Sequence, residues 1–186
     1  MNIFYLSPSP RTCAVMHNNS HCSKMIIEYA QLMSTAHRVL DGEEYYGRTK
    51  NNRKIKRWKL NSELEHILYK ASHVNHPSGI WVRQSRKNYL WLYELWKELN
   101  NEFMYRYEHD KPHESFRKLK DALYMPPMNI SNGRWTEPTP AMPDDVKNKS
   151  SIVAYRNYYI KYKQHLAKWR KRKEPEWYVK SSKSYA

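Results

Sequence analysis

Residues 20–41 carry the clearest helical pattern of the chain, and the other segments have to pack around it. Apolar side chains recur there at spacings of three and four residues, which places them on one face of an α-helix stopped by Gly42. That face consists of Met25, Tyr29, Leu32, Met33, Ala36, Val39 and Leu40. A helix with one apolar side buries that side in a core, so we expect this helix to be central.

A polar stripe runs along one edge of the apolar face. It consists of His21, Lys24, Glu28, Gln31, Thr35 and Arg38. Every amphipathic helix needs a polar side, and Lys24 and Glu28 can stabilise it as an i,i+4 pair. The alternative is a functional surface, in which Glu28 acts as general acid, general base or electrostatic stabiliser.

The composition indicates a nucleic acid as the partner. The chain has 33 Lys and Arg against 18 Asp and Glu, a net charge of +15, together with 16 Tyr and 7 Trp. Cations suit phosphates, and aromatic rings suit bases. The sequence contains neither an apolar run long enough to span a membrane nor a signal-peptide pattern. We expect a soluble, cytoplasmic monomer that binds DNA, most simply double-stranded DNA.

Several other kinds of chemistry lack a sequence signal. Four glycines and the absence of a phosphate-binding glycine motif argue against nucleotide hydrolysis. The histidine pairs 17/21 and 73/76 lack a nearby Cys or acid, so we expect no metal and no cofactor. Cys22 follows His21 directly, but adjacent helical side chains diverge, which argues against a thiol nucleophile and for simple packing. Cys13 and Cys22 fit a reducing compartment, so we expect free thiols, with a bridge between adjacent helices as the alternative.

The whole pattern predicts an all-α fold, a single domain over residues 1–186 with about five to six helices. Beside the central helix, helices are expected over residues 11–18, 62–70, 79–107, 114–124 and 150–168. Residues 43–59 are expected to form a basic loop insertion, and residues 125–149 a long Pro-rich loop. The insertion is either a solvated loop or a phosphate-contacting arm with Arg53, Lys54, Lys56 and Arg57.

The carboxy-terminal helix and tail concentrate the positive charge. Residues 147–186 hold 12 Lys and Arg against 2 Glu, interleaved with Tyr and Trp. Such interleaving is typical of a nucleic-acid surface, and also of a core helix whose cationic stems cover apolar groups. We favour the nucleic-acid surface because of the net charge. Its candidate contacts are Arg156, Lys161, Lys163, Arg170, Arg172 and Trp177, together with Arg38 and His76.

Three short motifs resemble those of a known family. They are His21-x-x-Lys24-x-x-x-Glu28, Asn75-His76-Pro77 with Trp81 beyond it, and Pro175-Glu-Trp177-Tyr178 after the basic helix. They look like the small phage-type pyrimidine-dimer DNA glycosylases of the endonuclease V class and their phage and bacterial relatives. The resemblance implies an all-α fold whose amino terminus threads between helices to reach a catalytic Glu. It also implies base excision with strand-cleaving AP-lyase activity, in which the α-amine attacks sugar C1′ to form a Schiff base.

Carried over by position, the resemblance assigns roles to individual residues. Glu28 matches the catalytic Glu, His21 the basic or His residue seven before it, and Arg156 an Arg of the late DNA-contacting helix. The amine is expected to be that of Met1, with Lys24 as the alternative, because a free α-amine holds its proton less tightly than a lysine. In the family the nucleophile is a small residue exposed by removal of Met, whereas here the bulky Asn2 favours retention of Met1.

The sequence leaves three functions open. The first is a DNA repair enzyme, a DNA N-glycosylase with or without AP-lyase activity that acts on a damaged or modified pyrimidine, in the host cytoplasm if the protein is phage-encoded. The second is a non-catalytic DNA- or RNA-binding protein on the same scaffold. The third is another base- or nucleotide-modifying enzyme. A Met1 nitrogen within reach of the Glu28 carboxylate in an open cleft favours the first over the second.

Overall fold

The computed structural model describes residues 1–182 and consists mostly of helices, as the sequence predicts. Its eight α-helices are α1 Pro10–Met16, α2 Asn19–Asp41, α3 Leu64–Ile67, α4 Pro77–Gln84, α5 Arg86–Tyr107, α6 Glu114–Tyr124, α7 Ser151–Tyr162 and α8 Glu176–Ser182. Two 3-10 turns lie at Asp144–Val146 and Gln164–Leu166. The all-α prediction is confirmed, although several helices are shorter than expected and α8 was not foreseen. The last part of the expected basic tail, residues 183–186, lies outside the described residues.

Helix α2 is the central helix that the apolar pattern predicts. The side chains of Met25, Tyr29, Leu32, Met33 and Ala36 are buried, and α2 packs against α4, α5 and α6. The expected partner helix over residues 79–107 is divided into α4 and α5 at Ser85. The Ser85 hydroxyl accepts a hydrogen bond from the Asn88 amide, and this bond begins a new helix.

Residues 43–59, expected to form a loop, instead form an antiparallel β-hairpin. Strand β1 spans Glu43–Arg48 and strand β2 spans Lys54–Lys59, with Tyr46 opposite Lys56. The Thr49 amide donates to the Arg53 carbonyl across the turn, and Asn52 adopts the left-handed backbone that Asn tolerates. The charge run suggested only exposure, whereas the Tyr, Ile and Trp side chains between the charges favour strands.

Gly42 joins α2 to the hairpin for a reason different from the expected one. Its backbone is extended, with φ −99° and ψ 158°, and not the left-handed conformation common at helix ends. A Cβ at this position would collide with the Arg38 carbonyl oxygen and lie 3.1 Å from the Lys59 carbonyl oxygen. The glycine is therefore required because a side chain here would meet the last turn of α2, and the base of the hairpin lies close on the other side.

The first six residues run through the core. Ile3, Phe4, Tyr5 and Leu6 are all buried. The Phe4 amide donates to the Tyr29 hydroxyl at 3.1 Å, and that hydroxyl lies 3.1 Å from His17 Nε2. His17 Nδ1 lies 2.7 Å from the Cys13 carbonyl, which can only accept, so Nδ1 carries the proton and Nε2 accepts from Tyr29. This chain of hydrogen bonds fixes the amino-terminal segment against α2.

The Pro-rich stretch over residues 125–149 wraps over the helices, and its one regular turn is that at Asp144–Val146. Core side chains bond its backbone: Trp81 Nε1 donates to the Thr136 carbonyl, and the Tyr155 hydroxyl donates to the Thr139 carbonyl. The stretch is therefore an ordered cover.

Three buried histidines should make the stability of the fold depend on pH. Burial lowers the pKa of His17 and His37 to about 4 and that of His21 to about 2. In the unfolded chain these groups take up protons below a pKa of about 6.5, whereas in the folded protein they take them up only at lower pH. The free energy of unfolding therefore decreases as the pH is lowered. Each histidine should lower the free energy of unfolding by about 2 kcal/mol between pH 7 and pH 5. Urea unfolding at the two pH values measures this loss, and equal stabilities would contradict it.

Candidate active site

A cavity of about 360 Å³ opens where the amino terminus meets α2. Its wall includes Met1, His21, Lys24 and Glu28, the four residues that the sequence nominates for catalysis. The remaining lining residues come from the amino-terminal segment, from α2, from α7 and its end, and from the Pro-rich stretch. They are Asn2, Phe4, Met25, Ala141, Met142, Pro143, Tyr158 and Lys163.

The Met1 amine and the Glu28 carboxylate form the most direct contact in this cavity. The Met1 nitrogen lies 3.1 Å from Glu28 Oε2, and Lys24 Nζ lies 3.5 Å from Glu28 Oε1. The side chains of Met1 and Glu28 are 7% and 16% exposed, whereas that of Lys24 is 67% exposed. Asn2 Nδ2 donates to the Ala141 carbonyl at 2.7 Å. Burial of the Met1 side chain and the hydrogen bond from Asn2 to the Pro-rich stretch thus hold the amine in place.

His21 forms part of the cavity wall as a neutral imidazole. Its ring stacks on Phe4, with the ring centroids 4.0 Å apart, and its Nδ1 lies 2.6 Å from the Tyr159 hydroxyl. Burial, assisted by the charges of His17, Lys163, Lys24 and the amino terminus, lowers the pKa of His21 to about 2. His21 can therefore orient a substrate through hydrogen bonds, but it does not take up a proton near neutral pH.

Two residues predicted to contact nucleic acid lie beside the Met1–Glu28 pair. His76 caps α4, because its Nδ1 accepts from the Ser78 amide at 3.1 Å. Burial lowers the pKa of His76, the charges of the Met1 amine and His73 lower it further, and the Glu28 carboxylate opposes this shift. Lys163 lines the cavity, with its Nζ 4.9 Å from the centre of the Tyr158 ring. Lys163 thus brings a positive charge to the cavity wall.

The prediction that Arg38 contacts nucleic acid is wrong. Arg38 is only 3% exposed, and it pairs with the Glu65 carboxylate at 2.6 Å. Its remaining donors bond the backbone carbonyls of Trp58, Glu65, Leu68 and Tyr69. The second half of the polar stripe is therefore covered by the chain that follows the hairpin, and only its first half faces the cavity.

Several carboxy-terminal cations have partners within the protein. Arg156 donates through Nε and Nη2 to the Leu6 carbonyl and lies over the Trp177 ring, so it supports the amino-terminal segment in place of the expected phosphate contact. Arg172 pairs with Glu102, which also binds the fully buried Arg106. The other two are engaged at the surface: Lys161 pairs with Asp145, and Arg170 lies near Glu108. Partial neutralisation makes this face less cationic than the sequence alone suggests.

Sequence reasoning missed the side chains that position the site. Phe4 stacks on His21, Tyr159 bonds it, and Tyr29 holds the Phe4 amide. The apolar run from Ile3 to Leu6 does indicate a buried amino terminus. Tyr29 and Tyr159, however, occupy ordinary apolar positions of their helices, and nothing in the sequence separates them from other core tyrosines.

No group of three or more His, Cys, Asp or Glu side chains in the part of the chain that the structure describes is close enough to hold a metal ion. Among residues 1–182, no helix combines the length and the apolar character needed to cross a membrane.

Comparisons with protein-family models, with curated proteins and with solved structures find no match. The function is therefore proposed from the geometry of the site and from its motifs.

Replacing Tyr29 with Phe tests whether its hydroxyl holds the amino terminus in place. The variant loses the acceptor of the Phe4 amide and the donor to His17, both buried, so we expect a loss of about 1–3 kcal/mol of stability. The Phe4 amide should also exchange faster with solvent, as measured by hydrogen exchange.

The matched control for this variant is Tyr93→Phe. Tyr93 donates to the Lys120 carbonyl, which involves no residue of the amino-terminal segment. The control should leave exchange of the Phe4 amide unchanged. Equal exchange rates in the Tyr29→Phe protein and the wild type would show that other contacts fix the terminus.

Proposed function

We propose that the protein is a DNA N-glycosylase with associated AP-lyase activity, acting on a damaged or modified pyrimidine in DNA. The observation that carries the proposal is the Met1 amine 3.1 Å from the Glu28 carboxylate in an open cavity. Such a reaction needs an amine nucleophile and a negative group that stabilises a cationic sugar. The resemblance of the His21, Lys24 and Glu28 motif to the dimer-specific glycosylases supports the same assignment.

In the proposed reaction, the unprotonated Met1 amine attacks C1′ of the damaged nucleotide. The bond from C1′ to the base breaks, and the base leaves with the electron pair and takes up a proton. The Glu28 carboxylate lies beside the amine, where it stabilises the positive charge that develops on the sugar. The nitrogen then loses a proton, and the C1′–O4′ bond breaks. Its electron pair goes to O4′, which takes up a proton, and the C1′=N bond that forms is the Schiff base. Loss of a C2′ proton breaks the bond from C3′ to the phosphate oxygen and cuts the strand.

Met1 is the better nucleophile on geometric grounds. In the proposed mechanism Met1 is retained and its α-amine is free. Its side chain is almost fully buried, and its neighbour Asn2 is anchored to Ala141. Lys24, by contrast, is two-thirds exposed, and enzymes activate a lysine amine by removing it from water. We assign Lys24 to the phosphate beside the reacting sugar, where its charge adds to that of Lys163.

The alternative is a non-catalytic nucleic-acid-binding protein on the same scaffold. Such a protein needs positive charge but has no use for an amine anchored beside a carboxylate. Binding without chemistry is therefore the outcome that would favour it. The substrate duplex approaches from the open side of the cavity, on which Lys24 lies.

Glu28→Gln tests the role of the carboxylate. The change is nearly isosteric, so the protein should fold, but base excision should fall by about 100-fold or more because the stabilising charge is lost. Single-turnover excision on duplexes with pyrimidine dimers or modified pyrimidines measures the effect, with borohydride trapping of the Schiff base as a second readout.

The control for this experiment is Glu94→Gln, which removes one exposed carboxylate that pairs with Lys97. It changes the net charge by the same amount and should retain full activity. Full excision by a folded Glu28→Gln protein would remove Glu28 from the mechanism. Duplex binding by the wild type without excision of any tested base would favour the non-catalytic alternative.

A further inference from the structure

The β-hairpin of residues 43–59 is a basic ribbon that the proposed chemistry does not use. Seven of its residues are Lys or Arg and two are Glu. The tip from Lys50 to Arg53 is exposed, and Tyr45 and Tyr46 are 48% and 58% exposed. Two half-exposed aromatic rings among cations are available for stacking on a partner.

Both faces of the ribbon combine a tyrosine with cations. On one face the Tyr46 ring lies 4.1 Å from Lys54 Nζ and 6.0 Å from Lys56 Nζ. On the other face Tyr45 is directly opposite Arg57 in the strand register. Cations that bind phosphates beside rings that contact sugars or bases form the usual chemistry of a nucleic-acid surface.

Most of these cations are available to a partner. Lys56 pairs with Glu44 at 2.9 Å. By contrast, the other six hairpin cations form no ion pair with any residue in the range 1–182: Arg48, Lys50, Arg53, Lys54, Arg57 and Lys59. Their charge is therefore not cancelled locally, as it is for Arg172 near the carboxy terminus.

The hairpin leaves α2 on the same edge as the Met1–Glu28 pair. The polar stripe begins at the cavity and continues along α2 to Thr35 and Arg38. Thr35 Oγ1 accepts from the Ser72 amide at 3.1 Å, and Arg38 Nη1 donates to the Trp58 carbonyl of β2 at 3.1 Å. The base of the hairpin therefore lies over the far end of the stripe whose near end holds Glu28.

A second connection runs along the chain segment 71–76. Residues 71–75 and the hairpin residues Ile55, Lys56 and Trp58 line a cavity of about 430 Å³. The next residue, His76, lies within electrostatic reach of the Met1–Glu28 pair. Segment 71–76 therefore joins the cavity beside the hairpin to His76, the residue on which the charges of Met1 and Glu28 act.

We propose that the hairpin is a second DNA contact, which binds the phosphates of the duplex flanking the damaged nucleotide. This inference rests on the proposed function. Thirteen residues of α2 separate Glu28 from Asp41, which at about 1.5 Å per residue is about 20 Å. Duplex DNA advances about 3.4 Å per base pair, so the hairpin should reach the backbone about six base pairs from the reacting sugar. A two-stranded ribbon has the dimensions that the major groove admits.

The test compares two triple variants with the same change in charge. The hairpin variant carries Arg53→Gln, Lys54→Gln and Arg57→Gln. The control carries Lys111→Gln, Arg117→Gln and Lys120→Gln, exposed residues on or next to α6 that line neither cavity. The probe is a duplex with a tetrahydrofuran abasic analogue, which can be bound but not cleaved by the lyase step, with either 4 or 12 base pairs on each side of the analogue.

On the long duplex, the hairpin variant should bind at least about 10-fold more weakly at 0.1 M salt, and the slope of log affinity against log salt should fall by about two to three. On the short duplex, which ends before the hairpin, the hairpin variant and the wild type should bind alike. The control variant should keep most of the slope on both duplexes.

Equal losses of affinity in the two variants on the long duplex would overturn the inference, as would tighter binding of single-stranded RNA or of an acidic protein through the hairpin. Absence of any duplex binding would overturn both the inference and the proposed function. Failure of the proposed function alone has a different signature: the hairpin variant still loses duplex affinity, while the wild type excises no base and gives no trapped Schiff base.

Discussion

The buried hydrogen bond from the Phe4 amide to the Tyr29 hydroxyl is the contact on which the candidate site depends. It joins the extended amino-terminal segment to the central helix one residue beyond Glu28. An α-amine is ordinarily the most mobile group of a chain, because termini are poorly ordered unless packing restrains them. Burial of residues 3–6, with the Arg156 fork on the Leu6 carbonyl, fixes the amine at one point of the cavity.

Two kinds of electrostatic environment lie side by side in the fold. In the interior, His17 and His21 are kept neutral by burial, and the buried Arg106 is neutralised by Glu102. At the cavity, the Glu28 carboxylate contacts the Met1 and Lys24 amines, and Lys163 lines the same wall, so the charges there suit an anionic ligand. The hairpin places further positive charge at the carboxy-terminal end of α2.

The central helix and the common edge of His21, Lys24 and Glu28 are predictable from the sequence because both depend on local helical spacing. Helical spacing placed His21, Lys24 and Glu28 on one edge, and the folded chain brings Met1 to them. Helical spacing alone does not show that Arg38, unlike the residues at the cavity, is buried. The segment that buries Arg38 is distant in sequence. The run of charges in residues 43–59 predicts an exposed loop, whereas the Tyr, Ile and Trp side chains between the charges favour the strands of the hairpin. The sequence overestimates the positive charge that the carboxy-terminal cations offer to a partner, because acidic residues on α5 and in the Pro-rich stretch pair with Arg172 and Lys161.

The most direct measurement identifies which amine becomes attached to DNA. The wild-type protein is incubated with a duplex containing an abasic site, the Schiff base is reduced with borohydride, and the trapped adduct is digested and sequenced by mass spectrometry. We expect the sugar remnant on the Met1 nitrogen, and no trapping after acetylation of that amine, while DNA affinity stays within a few-fold because only one charge is lost. An adduct on Lys24, or trapping that survives acetylation and disappears in Lys24→Met, would contradict the assignment of the nucleophile.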